Sequence, residues 1–507
     1  MAEPPDTPQA PGAREPSEPR IGVDEWVASS GERIQAYAGV TGRVRRGFDR
    51  IPVPLRFVAL GIVVALVPVM TSNQYFLRVG VVSLIYALLA LGLNVSVGLA
   101  GLLDLGYVAF YGVGAYGYAM LSSSKFGVHW PTWGALLVVL AVSVVVGFLL
   151  ALPSRRLVGD YLAIVTLFFG QIFYTIAVQG YRVPLIKIHG SHDITGGPNG
   201  IADVDGFRFF GHRLTTNQAY FWASLIAVAV VFLAIHLMNE SRTGRAWRAL
   251  RDDPLATELM GMPVNWLKLL AIAVGAGAGA LAGTINVASL HGAFPDDYST
   301  PILITIYAMV ILGGVGNLFG VVVGAVSVNV LLEVLRTPAH ARWILYAVIL
   351  LGLVAKLRPW KALVAVLAGT AAFGIAVHAI VSAAWPRGVH GLVSISGTDF
   401  SHGGWLGWAL RHWLVLPANT YEAGNYRFFN YAFVLLIGLV LALTVVRGWA
   451  RWLLLVPTLW LAAFVWETRL VEEGTGPTRF LLLGAILVVL MATRPQGLLG
   501  THRVEIA

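Results

Sequence analysis

Ser241–Pro263 reads SRTGRAWRALRDDPLATELMGMP, a polar island between apolar runs near 219–238 and 266–288. It divides into two short helices. In the first, Arg245, Arg248 and Arg251 recur every three residues while Ala246, Trp247 and Leu250 fall on the other side, so one face is cationic and the other apolar. The second carries its own punctuation: Asp253 suits the N-cap, Pro254 the first helical position, Gly261 a left-handed stop, and Pro263 lies just past it. Its buried face is expected to be Leu255, Leu259 and Met262. A connection capped at both ends is stiff and shaped to dock, and the chain offers no soluble domain to receive it, which points to another subunit. A cationic loop resting on lipid headgroups has the same Arg/Trp composition.

The apolar surroundings decide the class. The chain has 507 residues, 57% hydrophobic and 12% charged, with a mean hydropathy of +0.74. Apolar runs of about 17 to 25 residues recur along most of it, the length a bilayer-spanning helix needs. The expected fold is an all-α integral membrane protein, a polytopic transmembrane helix bundle. A net charge of +9 would suit a nucleic-acid binder, but Lys and Arg fall mostly in short connections between apolar runs, which is an orientation signal. The absence of Cys excludes disulfides, thiolate metal sites and Cys nucleophiles.

Residues 1 to about 32 are Pro- and Glu-rich without an apolar core, which predicts a disordered cytosolic tail. Arg43, Arg45, Arg46, Arg50 and Arg56 then precede the first apolar run and place the N-terminus inside. Candidate spans lie near 54–70, 76–97, 105–121, 132–153, 161–179, 219–238, 266–288, 300–314, 318–336, 343–357, 361–384, 430–447, 452–467 and 478–493, several of them short enough to be re-entrant or broken. Alternation puts Arg155/Arg156, the 241–263 loop, Lys356/Arg358/Lys361, Arg447/Arg451 and Arg494 on the cytoplasmic side, and the polar connections around 180–218 and 385–429 outside. RWILYAVILLGLVAKLRP from Arg342 resembles RFLLLGAILVVLMATRP from Arg479, either an imperfect repeat flanking inserted spans or chance likeness between Leu/Val-rich helices. The resulting organisation is a tail with a basic juxtamembrane segment (1–50), a transmembrane core (51–357), an insert (358–477), and a final helix with a cytosolic C-terminus (478–507).

Gly112, Gly114 and Gly117 match the dinucleotide fingerprint but lack the strand and βαβ unit it requires, so close helix packing is the better reading. Gly275, Gly279 and Gly283 recur every four residues, and Gly316, Gly320 and Gly324 repeat the device; small residues at that spacing let backbones approach. Asp104 and Asp160 sit where N-capping explains them, and Glu333 suits an outer interfacial position. Asn94, Tyr107, Tyr111, Thr166 and Gln171 place polar groups in apolar helices, where they line a hydrophilic path or bond between helices; Asn94, Tyr107, Thr166 and Gln171 are the path candidates. Walker A, H-E-x-x-H and G-x-S-x-G sequences are absent, so the chain does not hydrolyse ATP by itself, and no catalytic residue, metal site or cofactor is expected.

LGLNVSVGLAGLLDLGYVAFYGVGAY (91–116), GDYLAIVTLFFGQI (159–172), ITGGPNGI (194–201), GRAWRALRDDPLATELMGM (244–262), VILGGVGNLFG (310–320) and RPQGLLG (494–500) together resemble the LivM-type permease subunit of bacterial branched-chain amino acid ABC importers. The resemblance covers about 54–336 and the last helix. It implies an ABC importer permease in the bacterial inner membrane, with both termini cytoplasmic. It also implies four kinds of companion: a second permease of LivH type, two cytoplasmic ATPase subunits, an extracytoplasmic solute-binding protein and the bilayer. In that family the 241–263 loop couples to the ATPase, a role that falls on Arg245, Arg248, Arg251, Asp253, Ala256, Glu258 and Gly261. Related permeases move urea, short amides or other amino acids, so the cargo stays open within the family. A stand-alone secondary transporter would need ion-coupling carboxylates in mid-membrane, for which Glu333 is the single weak candidate.

Overall fold

The computed structural model describes residues 53–154, 160–180, 193–209, 212–336, 338–356, 360–384, 413–414, 426–446 and 448–472, with scattered positions from 479 to 497. The expected tail (1–50), the Arg155/Arg156 turn, most of the 385–429 connection, most of the 478–493 span, and Arg494 lie outside the described residues. The chain divides into two units, Met1–Ile62 and Val63–Ala507. Of the first, the start of helix α1 (Val53–Met70) is described; all that follows belongs to the second.

The helices in order are α2 (Gln74–Leu93), α3 (Tyr107–Leu121), α4 (Thr132–Ser154), α5 (Asp160–Gln179), α6 (Asn217–Glu240), α7 (Arg242–Asp252), α8 (Pro254–Leu259), α9 (Val264–Leu290), α10 (Thr300–Gly313), α11 (Leu318–Val334), α12 (Pro338–Lys356), α13 (Trp360–Ala384), α14 (Tyr426–Val445) and α15 (Trp449–Glu472). Each expected span from 54–70 to 452–467 coincides with one of them. Seven helices among the described residues are long and apolar enough to cross a membrane. Thr300–Gly313 and Leu318–Val334 are shorter; at ~1.5 Å per residue they reach about 21 and 25 Å, short of a ~30 Å hydrocarbon core. The protein is a polytopic helical membrane protein.

Helix α9 lies at the centre, packed on α2, α3, α4, α6 and the turn after α2. Its buried face is built from Ala271, Gly275, Ala276, Gly279, Ala280, Ala282 and Gly283. Gly275 meets the Gly92 carbonyl and Gly279 meets the Phe110 and Tyr107 side chains, while Gly283 abuts the Tyr111 carbonyl so closely that a Cβ there would overlap it. From the other side, a Cβ on Gly114 would overlap the Ala280 carbonyl. With the backbones this close, hydroxyls reach across: Ser143 donates to the Ala276 carbonyl at 3.0 Å. In the same way Gly324 of α11 lies against the Met309 carbonyl and the Gly313 backbone of α10, where the Gly320 carbonyl also sits, and Gly316 (φ 85°) turns the chain between the two helices.

Helix α2 does not run straight into a turn. It passes into one π-helical stretch, Asn94–Leu99, after which residues 100–106 are irregular until α3 begins. Ala100 N–H reaches back to the Val95 carbonyl (3.1 Å) and Leu102 N–H to Ser96 (2.8 Å). Such backbone is tolerated at membrane depth only when protein encloses it, and Asn94, Val95, Ser96, Leu99 and Ala100 are all buried.

The connections at 122–131, 193–216 and 291–299 gather into a small cap. Strand β1 (Ile201–Ala202) pairs antiparallel with β4 (Gly292–Ala293), and β2 (Arg208–Phe209) with β3 (His212–Arg213). Lys125 pairs with Asp193 at 2.8 Å and His129 with Asp205. Helix α6 leaves this cap and α9 returns to it, so the α7–α8 loop sits at the opposite end, ~36 Å away along a 24-residue helix. The late helices form their own cluster, in which Trp460, Phe464 and Ala463 of α15 pack with Leu414 and Ala432. It is tied to α12 where Tyr346 Oη donates to Glu467 Oε1 at 2.9 Å.

Substituting Gly283 or Gly114 by Val should separate α3 from α9 and lower the melting temperature of the detergent-purified protein by several degrees. Gly277→Ala, where the nearest atom is 3.6 Å from an added Cβ, should melt like the wild type; equal melting of all three variants would show that the backbones are not held together there.

Candidate functional site

The α7–α8 loop is fastened to the bundle at four points. Trp247 is fully buried and its Nε1–H donates to the Leu267 carbonyl at 3.0 Å. The arginines, expected as an outward cationic face, turn back onto carbonyls that lack helical partners. Arg245 Nη1 donates to Glu240 O (3.2 Å), and Arg248 Nη1 to Asn239 O (3.1 Å) and Oδ1 (2.7 Å). These carbonyls end α6, where a helix is electronegative and short of donors. Arg251 Nη1 donates to Gly98 O, in the π-helical stretch after α2.

Helix α8 has the caps its residues suit. Asp253 Oδ1 accepts from Leu255 N (2.8 Å) and Ala256 N (3.0 Å), Pro254 opens the helix, and Gly261 adopts φ 79°. Ala256 and Glu258 are exposed. The outward apolar tip is Leu255 (67% exposed), Leu259 (79%) and Met260 (81%). Of the expected buried face, Leu255 and Leu259 are exposed in this chain and Met262 is half-buried: after the left-handed Gly261 the chain turns back, and Met262 N–H bonds to Thr257 O at 3.3 Å.

Three path candidates converge on the irregular segment after α2. Asn94 is buried with its Oδ1 accepting from Gly316 N at 2.8 Å. Tyr107 is buried at the crossing of α2, α3 and α9, its hydroxyl against Gly92 and near Gly279. Thr166 Oγ1 accepts from Leu105 N and donates its proton to Ala163 O in its own helix, both at 3.0 Å, so this hydroxyl is spent on backbone rather than pointed into open space. Gln171 stands apart, exposed on α5 and bonded to Thr300 Oγ1. Asp104 is buried and accepts from Gly106 N at 3.1 Å, closing a turn two residues ahead, while Gly106 occupies the N-cap of α3. Glu333 accepts from Tyr75 Oη at 2.7 Å, at the end where α2 begins, which is the cap side.

A feature not picked out from the sequence is a cavity of about 340 Å³ on that side, between α2, α3, α9 and the start of α10. Arg78, Asn217, Asn286 and Asp297 line it, with Tyr86 and Tyr111 deeper. Burial, helped by the charge of Asp296, pushes the Asp297 carboxyl up to about 6, which leaves it mostly ionised at neutral pH. Arg479 lies within electrostatic range of Tyr86. The signal in the sequence was Arg78, the one charged residue in 74–99.

Residues 75–357 match the family described as branched-chain amino acid transport system / permease component. Over 305 residues the chain is 35% identical to the high-affinity branched-chain amino acid transport system permease protein LivM of Salmonella typhimurium strain LT2, covering 56% of this chain and 68% of that protein. Identity is 34% over 305 residues to LivM of Escherichia coli K12, with the same coverage. The permease protein LivH of Salmonella typhimurium is 24% identical over 258 residues, 48% of this chain and 80% of that one. No solved structure matches. The matched stretch runs from α2 to the end of α12 and contains the fastened loop, the irregular segment and the cavity, so this chain belongs to the branched-chain amino acid transport permease family.

Proposed function

We propose that the chain, paired with a LivH-type permease, forms the membrane pathway of an importer for branched-chain amino acids. Two separate cytoplasmic ATPase subunits drive it, and an extracytoplasmic binding protein delivers the solute to the cap. In this reading the α7–α8 loop faces the cytoplasm of a bacterial cell whose inner membrane holds the protein, and both termini lie on that side. The core is 51–357, to which the tail (1–50), the insert (358–477) and the last segment (478–507) are added.

The observation that supports it is the exposed tip of Leu255, Leu259 and Met260 on a loop otherwise anchored to the bundle. Covering each such side chain contributes about 1.5–3 kcal/mol, enough for a groove on a partner to hold the tip. Force on the tip then has two routes inward. One passes through Trp247 to α9; the other passes through Arg251 to the Gly98 carbonyl and the irregular segment. Such a loop can pass displacement inward because its first helix is anchored to α9 and to the π-helical stretch.

Leu259→Asp and Glu258→Arg should each reduce co-purification of the ATPase about tenfold or more, since ~1.4 kcal/mol is a factor of ten, with the permease still inserted. Gly261→Val should act likewise, because a β-branched residue is strained at that positive φ. Undiminished association in all three would refute docking through this tip. Arg251→Ala should leave the complex assembled and hydrolysing ATP but with uptake cut at least fivefold; uptake within twofold of wild type would remove the Gly98 route.

A further inference from the structure

We infer that the cap-side cavity is an outer binding station for a zwitterionic α-amino acid with an aliphatic side chain; this rests on the importer reading above and names the site the solute meets first. Two opposite charges, Arg78 and Asp297, line one cavity of about 340 Å³. They form no ion pair with each other, whereas the described residues elsewhere carry the pairs Lys125–Asp193, His129–Asp205 and Arg336–Glu333. Arg78 stands at the exposed mouth and Asp297 is half-buried, so neither charge is answered by the other and both face the same space.

Solute classes can be sorted on that arrangement. A lone carboxylate would gain from Arg78 and be repelled by Asp297; a lone amine would meet the reverse. A neutral amide uses neither charge. A zwitterion answers both at once, with its carboxylate on the guanidinium and its ammonium on the carboxylate. The Asn217 and Asn286 amides lie beside these groups. Val82 and Ile85 of α2, Leu290 of α9 and Ile302 of α10 give the cavity an apolar wall beside Ser289, Tyr86 and Tyr111, and that wall suits an aliphatic side chain. The volume stands near the lower end of the ~300–1,000 Å³ range of small-molecule sites.

The position fits a station on a route. Arg78, Val82 and Tyr86 are spaced four apart on one face of α2, so the cavity descends two turns, ~12 Å, from the cap side. Arg78 is exposed, while Asn286 near the floor is only 7% exposed. The α7–α8 loop lies at the far end of the same helices, so this cavity opens on the face opposite the driven one.

The test is photolabelling of the purified full-length chain in lipid nanodiscs with the diazirine analogue of leucine, run beside ATP-driven leucine uptake by the importer assembled with its partners. Label is expected on peptides carrying Val82, Ile85 or Leu290, displaced by leucine and at least tenfold less well by leucinamide or 4-methylpentanoate, each of which has one charge. Arg78→Gln and Asp297→Asn should each lower labelling and uptake about tenfold, with Arg78→Lys recovering part of both and so excluding misfolding. Absence of label from these peptides, equal displacement by 4-methylpentanoate, or wild-type labelling in Arg78→Gln overturns the station. If the label falls in the cavity but the assembled importer moves no leucine, the importer reading fails and the station stands. If uptake is robust and the cavity unlabelled, the station fails and the importer reading stands.

Discussion

Lipid tails are as apolar as leucine, so helices in a bilayer gain little by hiding leucines from one another; they gain from close backbone packing and from hydrogen bonds across the gap. Helix α9 is built for that. Its glycines and alanines bring it against α2 and α3 so closely that main-chain carbonyls fill the space where side chains would stand. Because lateral attraction comes from this proximity, α9 is the axis around which the other core helices take their places.

A tightly held axis has consequences at both of its ends. At one end, the chain entering α9 passes through a loop whose Trp247 bonds a carbonyl in the first turn of α9 and whose three arginines bond carbonyls at the end of α6 and in the π-helical stretch. Desolvating guanidinium groups is costly unless each finds acceptors, and here the acceptors are helix-end and distorted-helix carbonyls. The loop's surface is apolar at its tip, while Arg245 stays exposed and Arg248 and Arg251 are half-buried along the first helix. At the other end, α9 terminates at the cap, beside a cavity in which Arg78 and Asp297 are kept apart.

Between the ends lies irregular backbone held by side chains. Thr166 bonds Leu105 N, Asn94 bonds Gly316 N, and Tyr307 Oη donates to Asp104 O at 2.7 Å. These bonds satisfy main-chain groups that would otherwise be stranded in a dry interior. They also connect α5, α10 and the turn before α11 to one segment, which is the segment that Arg251 touches from the loop.

Read alone, the sequence determined the helical membrane class, nearly all of the span positions and the caps of α8, because apolar length and capping chemistry are local properties. It likewise marked Gly275, Gly279 and Gly283 as small residues on one face. It could not say which way Arg245, Arg248 and Arg251 point, since that depends on which carbonyls another helix leaves unpaired. Nor could it place Met262, whose direction follows from the left-handed turn at Gly261, or separate Thr166, spent on backbone, from polar groups lining space. That Arg78 and Asp297 line one cavity was decided by tertiary structure alone, because residues so far apart in the chain come to the same cavity only when α9 and α2 pack.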